Sequence, residues 1–263
     1  MSPTPTQSAP LLILKVSGHE LDNPEFLERL IAQIAALTQP LILVHGGGKE
    51  ISAALEQYNL PTEFVNGLRI TPPASMHVME MVVSGSIGKR LVRQCIGAGI
   101  AALSLSGVDL GILGCVPHRP AGLDLQQVGE IVSVNTEALQ VMLAQGWLPI
   151  IAPVALGVAD RLPYNVNADF VAQAIAAAFA ATTPTELVYI SNLAGILIAD
   201  QVVPTMTAHE IGQQIAHGHI YGGMIPKVQA ALQALAAGCT AVRITNLAGL
   251  GAGGTRITAT SLP

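Results

Sequence analysis

Leu11-Leu12-Ile13-Leu14-Lys15-Val16-Ser17-Gly18 is an apolar run broken by a single lysine and stopped by a glycine. Leu41-Ile42-Leu43-Val44-His45-Gly46-Gly47-Gly48 repeats the pattern further along. Short apolar runs bounded by turn residues fit strands buried on both faces, the kind that parallel sheets contain. Between the two runs, Asn23-Pro24 marks a helix start. Asn suits the N-cap, and Pro suits the first helical position, where its missing N–H costs nothing. Leu27, Leu30, Ile31 and Ile34 then recur at helical spacing. Strand, glycine turn, helix, strand and glycine triplet in that order define an α/β chain.

The alternation continues outward. A helix is expected over residues 49–58, and a long one over 74–97 after Pro72-Pro73, with Met79, Val82, Val83 and Ile87 packing a core or a partner. Shorter strands are expected near residues 101–105, 131–134 and 148–151. A helix over 167–181 precedes Thr182-Thr183-Pro184, the expected break between two lobes. After it come a strand over 187–191 and a helix over 208–216, opened by a Thr207-x-x-Glu210 capping box. A helix over 224–237 closes at Gly238 and leads to a strand over 241–245 and a glycine-rich loop over 249–254. Residues 1–10 read as a flexible tail, and 11–263 as one domain with lobes at 11–181 and 185–263. The fold class expected is a three-layer α/β/α sandwich with a mostly parallel central sheet.

Composition excludes several functions. Of the 263 residues 51% are hydrophobic and 11% charged, with 12 Lys+Arg against 17 Asp+Glu for a net charge of −5. That apolar content is ample for a core and excludes a disordered chain. The acidic balance and the lack of any basic run exclude a basic nucleic-acid binder. Mean hydropathy is +0.52, but the best apolar stretches, 147–159 and 170–181, fall short of the roughly 20 residues that span a bilayer. No membrane partner is expected, and the opening residues carry no signal-peptide pattern. Cys95, Cys115 and Cys239 form no C-x-x-C, which argues against a disulfide framework or a thiolate zinc site and for a reducing, cytoplasmic location.

Glycines stand at strand ends: Gly18, then Gly46, Gly47 and Gly48, then Gly195, Gly222-Gly223, and Gly251 to Gly254. Each alone fits a turn with positive φ. The set fits a backbone cradle for phosphate or carboxylate oxygens at the ends of sheet strands. Standard fingerprints fail. Ile51 occupies the third glycine position of a dinucleotide motif, and the segment from Gly85 to Arg90 lacks the spacing and hydroxyl of a P-loop, leaving Lys89 a solvated helix lysine.

Cations beside glycine loops therefore gain weight. Lys15 interrupts an apolar strand, where an unpaired ammonium is costly; the ordinary alternative is an edge-strand lysine. Lys227 follows Gly222-Gly223 at a helix start, where the dipole disfavours cations and an anionic ligand would favour one. Asp169 opens an apolar helix, as an ordinary first-turn acid or as the group that holds two lysines. Arg69 suits bidentate recognition of a carboxylate, or is a loop arginine. His217-x-His219 lacks companions at zinc-ligand spacing, and His45 packs or positions the glycine loop.

Taken together, these segments resemble the amino-acid kinase family, and within it the branch acting on N-acetyl-L-glutamate. The resemblance runs from Leu11 to Ile257. It is carried by Lys15-Val-Ser-Gly18, Val44-His-Gly-Gly-Gly48, Asn66-Gly-Leu-Arg-Ile-Thr-Pro72, Asn165-Val-Asn-Ala-Asp169, Gly222-Gly-Met-Ile-Pro-Lys227 and Gly254-Thr-Arg-Ile257. It implies a carbamate kinase-like fold and transfer of the ATP γ-phosphoryl group to the side-chain carboxylate of N-acetyl-L-glutamate, in arginine biosynthesis. In that scheme Lys15 and Lys227 stabilise the phosphoryl group in flight and Asp169 orients them. Gly47, Gly48, Arg69 and Asn165 hold the acceptor. Gly18, Asn192, Leu193, Ala194, Gly195, Ile196, Leu197, His219, Ile220 and Tyr221 hold the nucleotide, and Mg²⁺ is bound through its phosphates rather than by protein ligands. The resemblance also implies a homodimer.

Three positions depart from the family pattern. Ser17 stands where glycine is usual, His19 where small or apolar residues are commoner, and Asn192 where aspartate is usual. Asn192 also resembles kinases acting on carrier-bound aminoadipate in lysine synthesis, a branch that lacks the Asn-Gly-Leu-Arg segment. A non-catalytic binding module is the remaining alternative. Arginine-inhibited members carry an extra N-terminal helix. The ten residues before the first strand here include three prolines, so arginine feedback is not expected.

Overall fold

The computed structural model describes residues 9–65 and 67–258. Most of the expected tail, residues 1–8, lies outside the described residues, as does Asn66. In chain order, the first half runs β1 (Leu11–Val16), α1 (Pro24–Ala35), β2 (Leu41–His45), α2 (Gly48–Gln57) and a hairpin of β3 (Phe64–Val65) and β4 (Leu68–Arg69). It continues through α3 (Pro73–Glu80), a π-helical stretch (Met81–Ile87) and α4 (Gly88–Gly97). Then follow β5 (Ala102–Ser106), β6 (Leu113–Pro117), β7 (Gly129–Val134), α5 (Thr136–Ala144), β8 (Leu148–Ala152), β9 (Val154–Gly157), β10 (Pro163–Asn165) and α6 (Ala168–Ala180). The remainder is β11 (Thr185–Ile190), β12 (Leu197–Ile198), β13 (Gln201–Val202), β14 (Thr205–Thr207), α7 (Ala208–Ala216), α8 (Met224–Ala236), β15 (Ala241–Thr245) and β16 (Thr255–Thr258).

Eight strands form the central sheet in the order β14-β16-β15-β11-β1-β2-β8-β5. Every neighbouring pair is parallel except β15 with β16. Strands after residue 182 fill one half and strands before it the other, joined where Leu11 to Val16 pair with Thr185 to Ile190. Period-two alternation sorts the strand side chains into two cores. Leu11, Ile13, Ile42, Val44, Leu187 and Tyr189 pack with residues of α5 to α8, whereas Leu12, Leu14, Leu43, Val188 and Ile190 pack with residues of α1 to α4. That is the three-layer α/β/α sandwich the sequence implies.

The local signals act as expected at several ends. The Asn23 side chain accepts from the N–H groups of Glu25 and Phe26, and the Thr207–Glu210 capping box is formed in both directions. Gly238, with φ of +99°, takes the left-handed position after α8. The long helix expected over 74–97 forms with a difference. Its centre, Met81–Ile87, is π-helical, a wider turn permitted by the weak helix preference of Gly85 and Gly88. A four-stranded sheet, β10-β9-β6-β7, lies apart from the central one; the strand expected near 131–134 falls in its β7, while β6, β9 and β10 have no counterpart among the expected strands. Among the described residues no helix is long and apolar enough to cross a membrane.

Candidate active site

The alternation in β1 places Lys15 on the face of Leu11 and Ile13, the face covered by α6 and α8. Its ammonium is thereby directed at the first turns of both helices, where Asp169 and Lys227 stand. Lys15 Nζ is 2.7 Å from Asp169 Oδ1, and Lys227 Nζ donates to the two Asp169 oxygens at 3.0 and 3.2 Å. All three side chains are buried, with 6 to 7% of each residue exposed. One carboxylate bridging two ammonium groups leaves a net charge of +1 while both lysines are protonated.

Burial alone would raise the Asp169 carboxyl, but attraction to Lys15 and Lys227 outweighs it and holds the group below the usual carboxylate range. Burial, reinforced by repulsion from Lys15, pulls Lys227 down to about 8, with Asp169 opposing. Tyr189 completes the cluster. It is the β11 residue in register with Lys15, and its hydroxyl donates to the Asp169 carbonyl at 3.2 Å. Lys227 Nζ lies 5.2 Å from the centre of its ring. Burial and the Asp169 charge push the Tyr189 phenol well above its ordinary value, so it stays neutral. Sequence reasoning missed Tyr189; the only signal was its parallel alignment with Lys15.

Lys15, Asp169 and Lys227 line a cavity of about 1380 Å³. A drug-sized ligand site measures about 300–1,000 Å³, so the space admits more than one small substrate. Asn192, Leu193, Ile196, Leu197, His219, Ile220 and Tyr221 line the same cavity, as do Ser17 and His19. His219 Nδ1 is 2.6 Å from Gln214 Oε1. Gly222 and Gly223 line it too, and Gly223 opens α8 with no side-chain cap. The N-terminus of α2, at Gly47, is equally uncapped, whereas α1, α5, α6 and α7 are capped by Asn or Thr side chains. Free N–H groups at glycine-led helix starts suit oxyanions.

Gly18, Gly47, Gly48, Arg69 and Asn165 stand beside the cavity rather than in its lining, and they are tied to one another. A Cβ on Gly18 would fall against the Gly47 N and within 2.7 Å of the Gly46 carbonyl carbon, so the first two glycine turns touch backbone to backbone. Gly18→Ala should therefore force these loops apart, at an overpacking cost of about 1–3 kcal/mol. A depressed melting temperature together with lost turnover is the expected result, and thermal unfolding beside an activity assay reads both. On the other side, Val83 and Ile87 of the π-helical stretch would meet a Cβ on Gly47 at 2.9 Å.

Arg69 donates to Ser52 Oγ at 2.9 Å and to Gly48 O and Thr62 Oγ1 at 3.3 Å, with its guanidinium 4.6 Å from the centre of the Phe64 ring. Asn165 Nδ2 donates to Thr71 Oγ1 at 3.0 Å, and Thr71 Oγ1 donates to Arg69 O at 2.8 Å. Thr71, unmarked in the sequence reading, is the link between two expected acceptor residues. Ala194 and Gly195 do not line the cavity; a Cβ on Gly195 would meet Thr255 and Val202 at 2.7 Å. His118, just after β6, and Glu130 of β7, with Nδ1 and Oε2 3.2 Å apart, do line it, as does Leu68 of the β3–β4 hairpin.

The sequence profile of the amino acid kinase family matches residues 10–246, and the chain belongs to that family. It is a kinase. A relative from Chloroflexus aggregans (strain MD-66 / DSM 9485), named acetylglutamate kinase, is 58% identical over 244 residues, covering 93% of this chain and 95% of its own. A crystal structure of smu.665 from Streptococcus mutans UA159 superimposes with a TM-score of 0.81 at 28% identity, covering 95% of this chain and 99% of that one. Carbamate kinase from Giardia lamblia shares the fold at a TM-score of 0.69 and 14% identity, covering 96% and 99% of the two chains.

Proposed function

We propose that this kinase transfers the γ-phosphoryl group of ATP to the side-chain carboxylate of N-acetyl-L-glutamate, releasing ADP and N-acetyl-L-glutamyl 5-phosphate for arginine biosynthesis. The Lys15–Asp169–Lys227 bridge at the cavity wall carries this reading, and the relative from Chloroflexus aggregans supports the acceptor. A carboxylate oxygen attacks the γ-phosphorus while the bond to the β-phosphate oxygen breaks, and ADP keeps the electron pair. No proton leaves the nucleophile, so no general base is required. Catalysis is then positioning plus charge stabilisation. Lys15 and Lys227 stabilise the moving phosphoryl group, and Asp169 fixes the spacing between them.

Gly47 and Gly48 offer backbone N–H groups to the acceptor, with Arg69 and Asn165 at its carboxylate and acetamide ends. Gly18, the segment from Asn192 to Leu197, and His219 to Tyr221 serve the nucleotide. Both oxygens of Asp169 face lysines, and the described residues contain no group of three or more His, Cys, Asp or Glu side chains suited to an ion. Mg²⁺ would accordingly ride on the nucleotide phosphates, where it would neutralise charge. In the same reading residues 11–181 form the acceptor and dimerisation lobe and 185–263 the nucleotide lobe of a cytoplasmic homodimer.

Hydroxylamine trapping of the acyl phosphate tests this directly, with Mg-ATP and N-acetylglutamate, glutamate, aspartate or N-acetyl-aminoadipate offered in parallel. The hydroxamate should form fastest with N-acetylglutamate. Signal confined to the aminoadipate compound would move the protein to the lysine branch, and ATP binding without any hydroxamate would make it a binding module.

A further inference from the structure

His45 is wholly buried at the junction of β2 and the glycine loop, and it does not line the cavity. Its Nδ1 lies 2.9 Å from the carbonyl oxygen of Gly46. A carbonyl only accepts, so the ring proton sits on Nδ1. We infer that His45 is a positioning residue for the acceptor: by holding the Gly46 carbonyl it aims the Gly47 N–H into the site. This rests on the acceptor reading above and deepens it.

The lever is peptide planarity. The Gly46 carbonyl and the Gly47 N–H belong to one rigid plane and point in opposite directions, so fixing one fixes the other. The next plane is fixed by a different bond, since the Gly47 carbonyl accepts the Ile51 N–H at 2.9 Å within α2. Three consecutive glycines have wide backbone freedom, and without the His45 contact the Gly46–Gly47 plane would lose the hydrogen bond on its carbonyl, leaving packing against Gly18, Val83 and Ile87 and the neighbouring bond from Gly46 N–H to Val16 O. The imidazole suits the task because it stays neutral. Burial is the main cause that lowers its pKa to about 4, with Arg90 adding to it and Glu50 and the Gly46 contact opposing. Nε2 is buried and has no partner in the structure, so a second ring proton would have nothing to bond.

Three substitutions separate this role from mere filling of space. His45→Asn sets an amide N–H where Nδ1 lies, His45→Gln sets one where Nε2 lies, and His45→Leu supplies none. KM for N-acetylglutamate should rise about tenfold or more in the Gln and Leu variants, the equivalent of one lost hydrogen bond. The Asn variant should stay within about threefold of the parent, and KM for ATP should hold in all three. Equal behaviour of Asn and Leu, or an equal rise in both KM values, would overturn the assignment. Should the variants fold poorly, ¹⁵N-histidine NMR of the unaltered protein decides. A neutral ring protonated on Nδ1 is expected, and a proton on Nε2 refutes it. If a different acceptor proves to be the substrate, the same KM comparison applies to that acceptor, so the two readings fail separately.

Discussion

Lys227→Ala should lower kcat by about 10²–10³, the loss typical of removing one preorganised donor from a developing oxyanion, with ATP affinity changed far less. The asymmetry follows from where the charge moves. In the proposed mechanism the ground-state nucleotide would have Gly222-Gly223 and the rest of the cavity wall to bind it, whereas the phosphoryl group in flight would gain its stabilisation from Lys15 and Lys227. Burial and Lys15 draw the Lys227 ammonium down to about 8, and only the protonated form can stabilise negative charge. Turnover should therefore fall as pH rises through about 8. In Lys15→Ala the repulsion is removed, so the residual activity should keep its alkaline limb to higher pH. A kcat profile across the alkaline range, recorded on both variants and the parent, reads these effects. Undiminished turnover in both lysine variants would refute the mechanism. The same depressed pKa affects folding. Between about 8 and the ordinary lysine value of 10.5 the unfolded chain binds more protons at Lys227 than the folded one, so its contribution to stability rises with pH across that window.

The residues of this bridge were legible because each breaks its local pattern. Lys15 is charged in an apolar strand, Asp169 is the lone acid of an apolar helix, and Lys227 is a cation at the wrong end of a helix dipole. The central strands were legible for a related reason, since runs buried on both faces leave no polar interruption. What failed was whatever depends on alignment across the chain. Of the second sheet, β7 contains the strand expected near 131–134 and β9 lies inside the apolar stretch 147–159, but β6 and β10 are short and broken by Gly114, Pro117 and Pro163, and the pairing of all four is not written in any one segment. The π-helical turn is hidden because Met79, Val82, Val83 and Ile87 keep a helical spacing whichever way the turn is wound. Tyr189 and Thr71 act through register and through a hydrogen bond to a residue 94 positions away, and neither relation is written in the neighbouring sequence.

Asp169→Asn should damage both fold and reaction, and the two losses have separable signatures. The amide keeps the shape and one accepting oxygen, yet the two ammonium groups that share this one carboxylate would be left buried without a counter-ion. Removing one partner of a buried charge pair costs about 3–5 kcal/mol, which calorimetric unfolding at neutral pH would record as a large fall in melting temperature. The carboxyl in the parent is held below its ordinary value, so its stabilisation is complete above the normal carboxylate range and disappears as pH falls through the folded value. Asp169→Asn should abolish that acid-side loss, and the stabilities of parent and variant should converge on acidification. Turnover reports the other half. Without Asp169 opposing burial and Lys15, the Lys227 pKa drops further below about 8, and the alkaline limb of kcat moves to lower pH. That is opposite to the shift expected for Lys15→Ala. A merely structural aspartate would lower stability in the same way but leave the limb in place in the surviving folded protein. The direction of the limb therefore decides whether Asp169 sets the charge state of Lys227, the lysine to which the proposed mechanism gives phosphoryl stabilisation, or only holds α6 to β1 and α8.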